Sequence, residues 1–319
     1  MNAAKKKEVA STPGIIARLL PLPSAAWRQT LIGVAAILLP VAVAYYAWDR
    51  WGPRILADGD YALRADRVQI TPPPDWVRAD VAGEVVRDGN LEGLSLLDPQ
   101  LTVKVFQAFA AHSWVENVSR VSKHPPGRAA SVVVEMTYRK PVAMVEVELN
   151  GVPGLLPIDA QAILLPPQDF LPSSHDSHAD PTRGYLRIAV PHAVPSGTVG
   201  TPWGQTEVHE AARIAAVFHD AWKQCGLFRI QLVPLGSEGS TQIIPTFELQ
   251  SRSGAAVIWG RAPDLRSETE TKTAMAKVAS VLKYVQEHGS LENAPPETIL
   301  DVRVPHSGTR TAQQPLMYQ

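Results

Sequence analysis

Two histidines and one carboxylate stand within four residues of each other in a polar segment. The segment is His175-Asp176-Ser177-His178, inside the stretch 166–184, which is rich in Pro and Ser. Imidazole and carboxylate groups at this spacing can bind a metal ion or exchange a proton during acid–base catalysis. A solvated loop explains the same composition without any chemistry. A hydrolase that uses these histidines therefore stays open as one alternative.

Other reactive residue types lack the partners that their chemistry needs. His209-Glu210-Ala211-Ala212-Arg213 begins like the H-E-x-x-H helix of zinc proteases, but an arginine replaces the second histidine. Cys225 is the only cysteine and continues the apolar stripe of a predicted helix, which is typical of a buried structural residue. The sequence contains neither a G-x-S-x-G elbow nor a phosphate-binding G-x-x-x-x-G-K loop. We therefore predict a protein that is not an enzyme, with no catalytic residue, cofactor, metal or small-molecule substrate.

Length and charge limit the remaining classes of function. The chain has 319 residues, of which 45 % are hydrophobic and 19 % are charged, so it can form a folded core. Its net charge of −1 argues against a nucleic-acid-binding protein, whose affinity depends on neutralising phosphates. A protein that works through protein partners fits these limits.

An uncharged stretch of 20 residues, 29–48, follows a basic N-terminal segment, 1–28. A helix of this length is about 30 Å long, which matches the hydrocarbon core of a bilayer. The segment before it holds five basic residues and one acidic residue, so the positive-inside rule predicts a cytoplasmic N-terminus and an exported C-terminal part. Aromatic residues flank the stretch, as at membrane interfaces: Trp27, Tyr45, Tyr46, Trp48 and Trp51. A buried core helix and a cleaved signal peptide are the alternatives.

The first exported module, 66–140, follows a juxtamembrane linker, 49–65. Its patterns predict a strand, two helices and two strands, in that order. We expect Asp75 to cap the first helix and Asp98 to cap the second, with Pro99 at its first position. Each helix carries one apolar stripe, so both must pack on a three-stranded sheet in one α/β unit.

The second exported module, 141–305, has mostly period-two patterns. They predict a mostly antiparallel β domain that contains two helices, 206–224 and 268–287, and a tail, 306–319. Asn150-Gly151 predicts a tight hairpin turn. The predicted fold class of the whole chain is therefore α+β with one N-terminal transmembrane helix.

The last predicted strand, Ile299–Val304, has the features of an unpaired edge. An edge strand presents free N–H and C=O groups that a segment of another protein can pair with. Pairing with its own tail, His306–Gln319, or within the domain is the alternative. Apolar and charged side chains alternate along the strand, with Leu300, Val302 and Val304 on one face and Asp301 and Arg303 on the other.

Two groups of motifs resemble the FtsQ/DivIB family of bacterial cell-division proteins. The first group closes the α/β module and comprises Ser113–Val121, Pro125 or Pro126, Val132–Glu135 and Lys140–Ala143. The second comprises Ala256–Gly260, a helix with Lys272 or Lys277, and Ile299–Pro305. The sequence departs from the family pattern at Thr71–Pro74 and in the large loop 166–184. It also departs at Asp159–Ala162, which lacks a turn glycine.

The resemblance implies a non-catalytic scaffold of the division machinery, with one span, a POTRA module over 66–140 and a β domain. In the family, the POTRA module serves recruitment, and the last β strands bind single-span partners of the FtsB/FtsL type and help to control septal peptidoglycan synthesis. It further implies a location in the inner membrane at the division site, among other division proteins. The implied partner-binding residues are Asp301, Val302, Arg303, Val304, Ser307, Gly308, Thr309, Arg310 and Thr311. A POTRA-containing envelope protein of outer-membrane assembly or secretion is the alternative.

Overall fold

The computed structural model of the chain describes residues 25–56, 62–124, 132–172, 180–236 and 243–303. The chain separates into two units, with the boundary after Tyr61. The first contains one long helix, and the second contains all the strands of the described residues. The fold is thus mixed α and β with an N-terminal apolar helix, which agrees with the predicted fold class.

Helix α1, Ala25–Leu56, contains the predicted span and extends beyond both of its ends. Its segment Ile32–Gly52 has a mean hydropathy of 1.6, and among the described residues α1 is the only helix long and apolar enough to cross a membrane. Pro40 lies inside the helix without interrupting it. Length and composition therefore permit a single span.

The α/β module follows the predicted order of elements. Its strands form a three-stranded sheet of order β1-β3-β2, with β1 parallel and β2 antiparallel to β3. Both helices bury their apolar stripes in the core of this module. The elements are β1 Val68–Ile70, α2 Val81–Asp88, α3 Leu101–Ala110, β2 Val115–Lys123 and β3 Val132–Tyr138.

The start of α2 corrects one prediction. Asp80, not Asp75, caps the helix, and its Oδ1 accepts the N–H of Gly83 at 3.1 Å. The N–H of Val77 instead donates to the carbonyl of Pro74 at 2.9 Å, so the chain makes a turn before the helix begins. The predicted cap of α3 is also wrong by two residues, since Gln100 is the N-cap and the helix begins at Leu101; the Asp98 carboxylate accepts the N–H of Gln100 at 2.8 Å in the turn before it.

A second sheet has seven strands in the order β10-β9-β8-β7-β6-β4-β5. Its pairs β4–β5, β7–β8 and β8–β9 are antiparallel and contain most of the paired residues, as predicted, whereas β4–β6, β6–β7 and β9–β10 are short parallel pairs that the sequence did not predict. Parallel neighbours need crossover connections: α-helices lie in those from β6 to β7 and from β9 to β10, whereas β5 and residues 160–185 lie between β4 and β6. The strands are β4 Pro141–Leu149, β5 Val152–Asp159, β6 Leu186–Ala189, β7 Leu227–Gly236, β8 Ile243–Ser251, β9 Ala256–Gly260 and β10 Ile299–Asp301.

Three helices contribute to the core of this sheet. They are α4 Thr206–Phe218, α5 Trp222–Cys225 and α6 Glu268–His288. The predicted single helix 206–224 is thus broken after Phe218, although Gly226 ends α5 in the left-handed conformation (φ 72°) as expected. The rings of Phe218 on α4 and Trp259 on β9 meet edge to face at 5.3 Å. These contacts hold β9, and with it the end of the sheet, against the helices.

The α/β module and the β domain share buried contacts. Phe170, from the β domain, is buried among side chains of the α/β module. The neighbouring Asp169 is buried too, and its Oδ2 accepts the indole N–H of Trp114 at 2.8 Å. A second buried carboxylate, Asp159, pairs with Arg139 at 2.8 Å. Apolar packing and buried polar pairs thus join the two modules.

We expect the replacement Asp169→Ala to lower the free energy of unfolding by about 1–3 kcal/mol, because it leaves the buried Trp114 N–H without its acceptor. Urea denaturation of the detergent-solubilised chain measures this loss. Asp220→Ala is the control, because the Asp220 side chain is 97 % exposed. Equal losses in the two variants would contradict a stabilising role for the Asp169 contact.

Candidate functional site

Strand β10 pairs with β9 in a parallel ladder. One backbone hydrogen bond joins the two strands at each end of this ladder. The N–H of Val302 donates to the carbonyl of Ile258 at 3.1 Å, and the N–H of Ala256 donates to the carbonyl of Thr298 at 2.9 Å. Backbone groups of alternate residues in a strand point to the same side, so those of Thr298, Leu300 and Val302 face β9. The strand is therefore attached to the sheet along one side.

The opposite side of β10 is an edge of the seven-stranded sheet. By the same alternation, the N–H and C=O groups of Ile299 and Asp301 point away from β9. No strand in the described part of the chain pairs with them. We call this side of Ile299–Asp301 the β10 edge.

The side chains along β10 follow the predicted alternation. Leu300 and Val302 are buried in the core of the β domain, while Asp301 and Arg303 lie at the surface. The strand ends at Asp301, however, two residues before Arg303 and earlier than predicted. Leu300 and Val302 thus anchor the strand in the core, and no strand in the described ranges lies along the β10 edge.

A close ion pair occupies the charged face. The Nε of Arg303 lies 3.0 Å from both carboxylate oxygens of Asp301, and its Nη2 lies 2.6 Å from Oδ2. The backbone N–H of Arg303 also donates to Asp301 Oδ1 at 3.0 Å. Burial opposes ionisation of Asp301, but the contacts with Arg303 outweigh it, so the pKa of this carboxyl is lowered. Asp301 is therefore a fixed negative charge beside the β10 edge.

Lys277, on α6, lies beneath the β9–β10 pair. Its ammonium group is buried, donates to the carbonyl of Trp259 at 2.9 Å and lies 4.8 Å from the centre of the Trp259 ring. Burial lowers the pKa of this ammonium, and the charge of Asp301 opposes the shift. Of the two motif lysines, Lys272 instead forms an exposed pair with Glu268 at 2.6 Å. The sequence did not distinguish the two lysines, because both lie on one helix.

A groove of about 600 Å³ opens beside Lys277. Its walls carry groups of both signs, including Glu210, Arg261 and Glu270. Glu210 belongs to the rejected zinc-protease pattern, and the pattern's Arg213 donates to the carbonyl of Pro263 at 3.2 Å. Within the described ranges, no group of three or more His, Cys, Asp or Glu residues is placed to hold a metal ion.

The remaining chemistry-bearing residues lie in different places. Cys225 is fully buried, and burial raises the pKa of its thiol to about 11, so at neutral pH it is a protonated core residue. The segment His175–His178 lies outside the described residues. So do the other expected partner-binding residues, which are Val304, Ser307, Gly308, Thr309, Arg310 and Thr311.

The other edge of the sheet, β5, is built differently. Asn150 and Gly151 form the expected β4–β5 turn, both with positive φ (54° and 77°). The carbonyl of Pro157 faces away from β4 and accepts the N–H of Leu165 at 2.9 Å. Pro153 has the same orientation, because it lies four residues earlier in the strand. Two outward positions of β5 therefore have no N–H to donate, which blocks strand addition there.

Comparison with known proteins gives no match, either to the models of protein families or among curated proteins. The FtsQ/DivIB resemblance therefore depends on the motifs alone. In the structure the first group falls on β2, β3 and the start of β4, with Pro125 and Pro126 outside the described residues, and the second group falls on β9, α6 and β10.

Lys277 gives a pH-dependent prediction. Because folding lowers its pKa, the unfolded chain binds this proton more tightly, and raising the pH towards 10.5 favours the folded state. We expect the free energy of unfolding of the wild type, minus that of Lys277→Met, to increase over this range. Denaturant titrations at several pH values measure it. A difference that stays flat over this range would contradict the buried position of Lys277.

Proposed function

We propose that this chain is a non-catalytic, single-span membrane protein of the bacterial division machinery. It binds single-span partners of the FtsB/FtsL type by strand addition at the β10 edge, and in this way helps to control septal peptidoglycan synthesis. The observation that carries the proposal is that no strand among the described residues pairs with the outward backbone groups of Ile299 and Asp301, at the end of the seven-stranded sheet.

The contrast between the two edges supports this site. The β5 edge carries Pro153 and Pro157 at outward positions, while the β10 edge has no proline. Prolines at an edge are a common protection against pairing with other chains. A sheet with one blocked and one open edge favours strand addition at the open edge.

The topology of the α/β module supports the expected POTRA role. Its order of one strand, two helices and two strands, with β1 parallel to β3, agrees with the module that the resemblance implies. In the proposed assembly this module takes part in recruitment to the division site. The buried Asp169 and Asp159 contacts join it to the domain that carries β10.

Helix α1 supplies the membrane part of the proposal. Its segment Ile32–Gly52 spans the inner membrane, with the basic N-terminal residues in the cytoplasm and the two modules outside it. The β10 edge is then exposed to the extracytoplasmic parts of other single-span proteins.

The replacement Ile299→Pro tests the edge directly. It removes an outward N–H and adds a ring there, while the hydrogen bonds to β9 come from the alternate residues. We expect capture of an FtsB/FtsL-type partner to fall about tenfold or more, since a lost or blocked backbone hydrogen bond costs about 1–3 kcal/mol. Pull-down at a series of partner concentrations measures this change.

The matched control is Ile299→Thr, which changes the same half-exposed side chain but keeps the outward N–H and the β-branched shape. Both variants should melt at the wild-type temperature, which shows that the sheet is intact. Undiminished capture by a correctly folded Ile299→Pro variant would exclude the β10 edge as the docking site.

Localisation distinguishes the proposed function from its alternative. We expect a fluorescent fusion of the full chain to form a ring at mid-cell in dividing cells. A uniform envelope signal would contradict the division role and favour a POTRA-containing protein of outer-membrane assembly or secretion. The Ile299→Pro variant of the same fusion shows whether the ring depends on the β10 edge.

A further inference from the structure

Helix α3 has apolar residues on its exposed side as well as on its buried side. Val103 is 55 % exposed and Phe106 is 43 % exposed. The two side chains lie on one face because they are three residues apart in a helix. Leu97, shortly before the helix, is 44 % exposed. We call Leu97, Val103 and Phe106 the α3 apolar surface; the buried stripe of the same helix is Leu101, Val105 and Phe109.

The chain enters the α/β module next to this surface. Ala62 forms an antiparallel bridge with Ser95, two residues before Leu97. The next residue, Leu63, donates its N–H to the carbonyl of Leu94 at 2.8 Å. The segment that leads into α3 is therefore paired with the first described residues of the second unit.

The connection to the proposed span is short. Nine residues separate Gly52, the end of the span candidate, from Ala62. Fully extended, nine residues reach about 30 Å. If Ile32–Gly52 crosses the bilayer, the segment before α3 stays within that distance of the outer lipid–water interface.

We propose that the α3 apolar surface inserts into the outer interface of the protein's own bilayer. This inference rests on the proposed single-span topology and is independent of partner binding at β10. Exposed apolar side chains on a helix held near lipid gain free energy when they enter the interface.

The charges near the surface are compatible with insertion. Asp98, which precedes α3, pairs with Lys104 at 2.9 Å, so its negative charge is compensated. Lys123 adds a further positive charge there, and its ammonium donates to the carbonyl of Asp98 at 2.7 Å. Positive side chains beside an inserted apolar face favour anionic headgroups.

A depth measurement tests the inference with the full chain. The variant Val103→Cys is labelled with an environment-sensitive fluorophore and reconstituted in vesicles of phosphatidylethanolamine and phosphatidylglycerol that contain nitroxide lipids. The native Cys225 is fully buried and stays unlabelled. Met275→Cys, on α6, is the control, because Met275 is 54 % exposed. We expect at least about twofold stronger quenching at position 103, since interfacial groups lie about 5–10 Å deep.

Four outcomes decide the inference and the span on which it rests. Adding Phe106→Glu to the labelled Val103→Cys variant should reduce its quenching to the control value, which would support insertion. Equal quenching at positions 103 and 275 in a chain that floats with the vesicles would overturn insertion but not the span. If quenching at position 103 depends on protein density in the vesicles, a second copy of the chain covers the α3 apolar surface. That result would also overturn insertion into the bilayer. A chain that does not float with vesicles would overturn the span itself.

Discussion

An open β-sheet always ends in two strands whose outer backbone groups have no partner within the sheet, and soluble proteins must cover or block these edges. In this protein the two edge strands of the seven-stranded sheet, β5 and β10, differ in how their outward backbone groups are protected. At β5, Pro153 and Pro157 have no N–H at two outward positions, and the N–H of Leu165 donates to the outward carbonyl of Pro157. At β10, the backbone of Ile299–Asp301 has neither protection in the described residues. This asymmetry is the constraint on which the functional account depends.

Several contacts keep such a short edge strand in place. Leu300 and Val302 anchor it in the core, and Lys277 binds the carbonyl of Trp259 in the adjacent strand. Gly260, at the end of β9, has a φ of 91°, and a Cβ at this position would lie 3.1 Å from Cγ of Arg303. The residues around β10 thus hold its backbone in an extended form, and no strand of the described residues pairs with its outer side.

The sequence predicted the order of the α/β module, the Asn150-Gly151 turn and the alternation along β10, because each depends on local spacing. It did not predict the parallel pairs, since pairing is set by where a crossover helix returns the chain. Strand β6 has only four residues and gave no periodic signal. The contact of Asp169 with Trp114 joins residues 55 positions apart, and no local pattern reveals it. At the candidate site, the two strands themselves were predictable, but their parallel pairing and the contacts of Lys277 were not.

The most direct test of the account is amide hydrogen exchange along β10 with and without the bound partner. Exchange reports which individual N–H groups become protected. If a partner strand pairs with the edge, the amides of Ile299 and Asp301 should slow strongly on binding, while that of Val302, already bonded to Ile258, should change little. A partner that binds while the amides of Ile299 and Asp301 keep their free exchange rates would contradict strand addition at this edge.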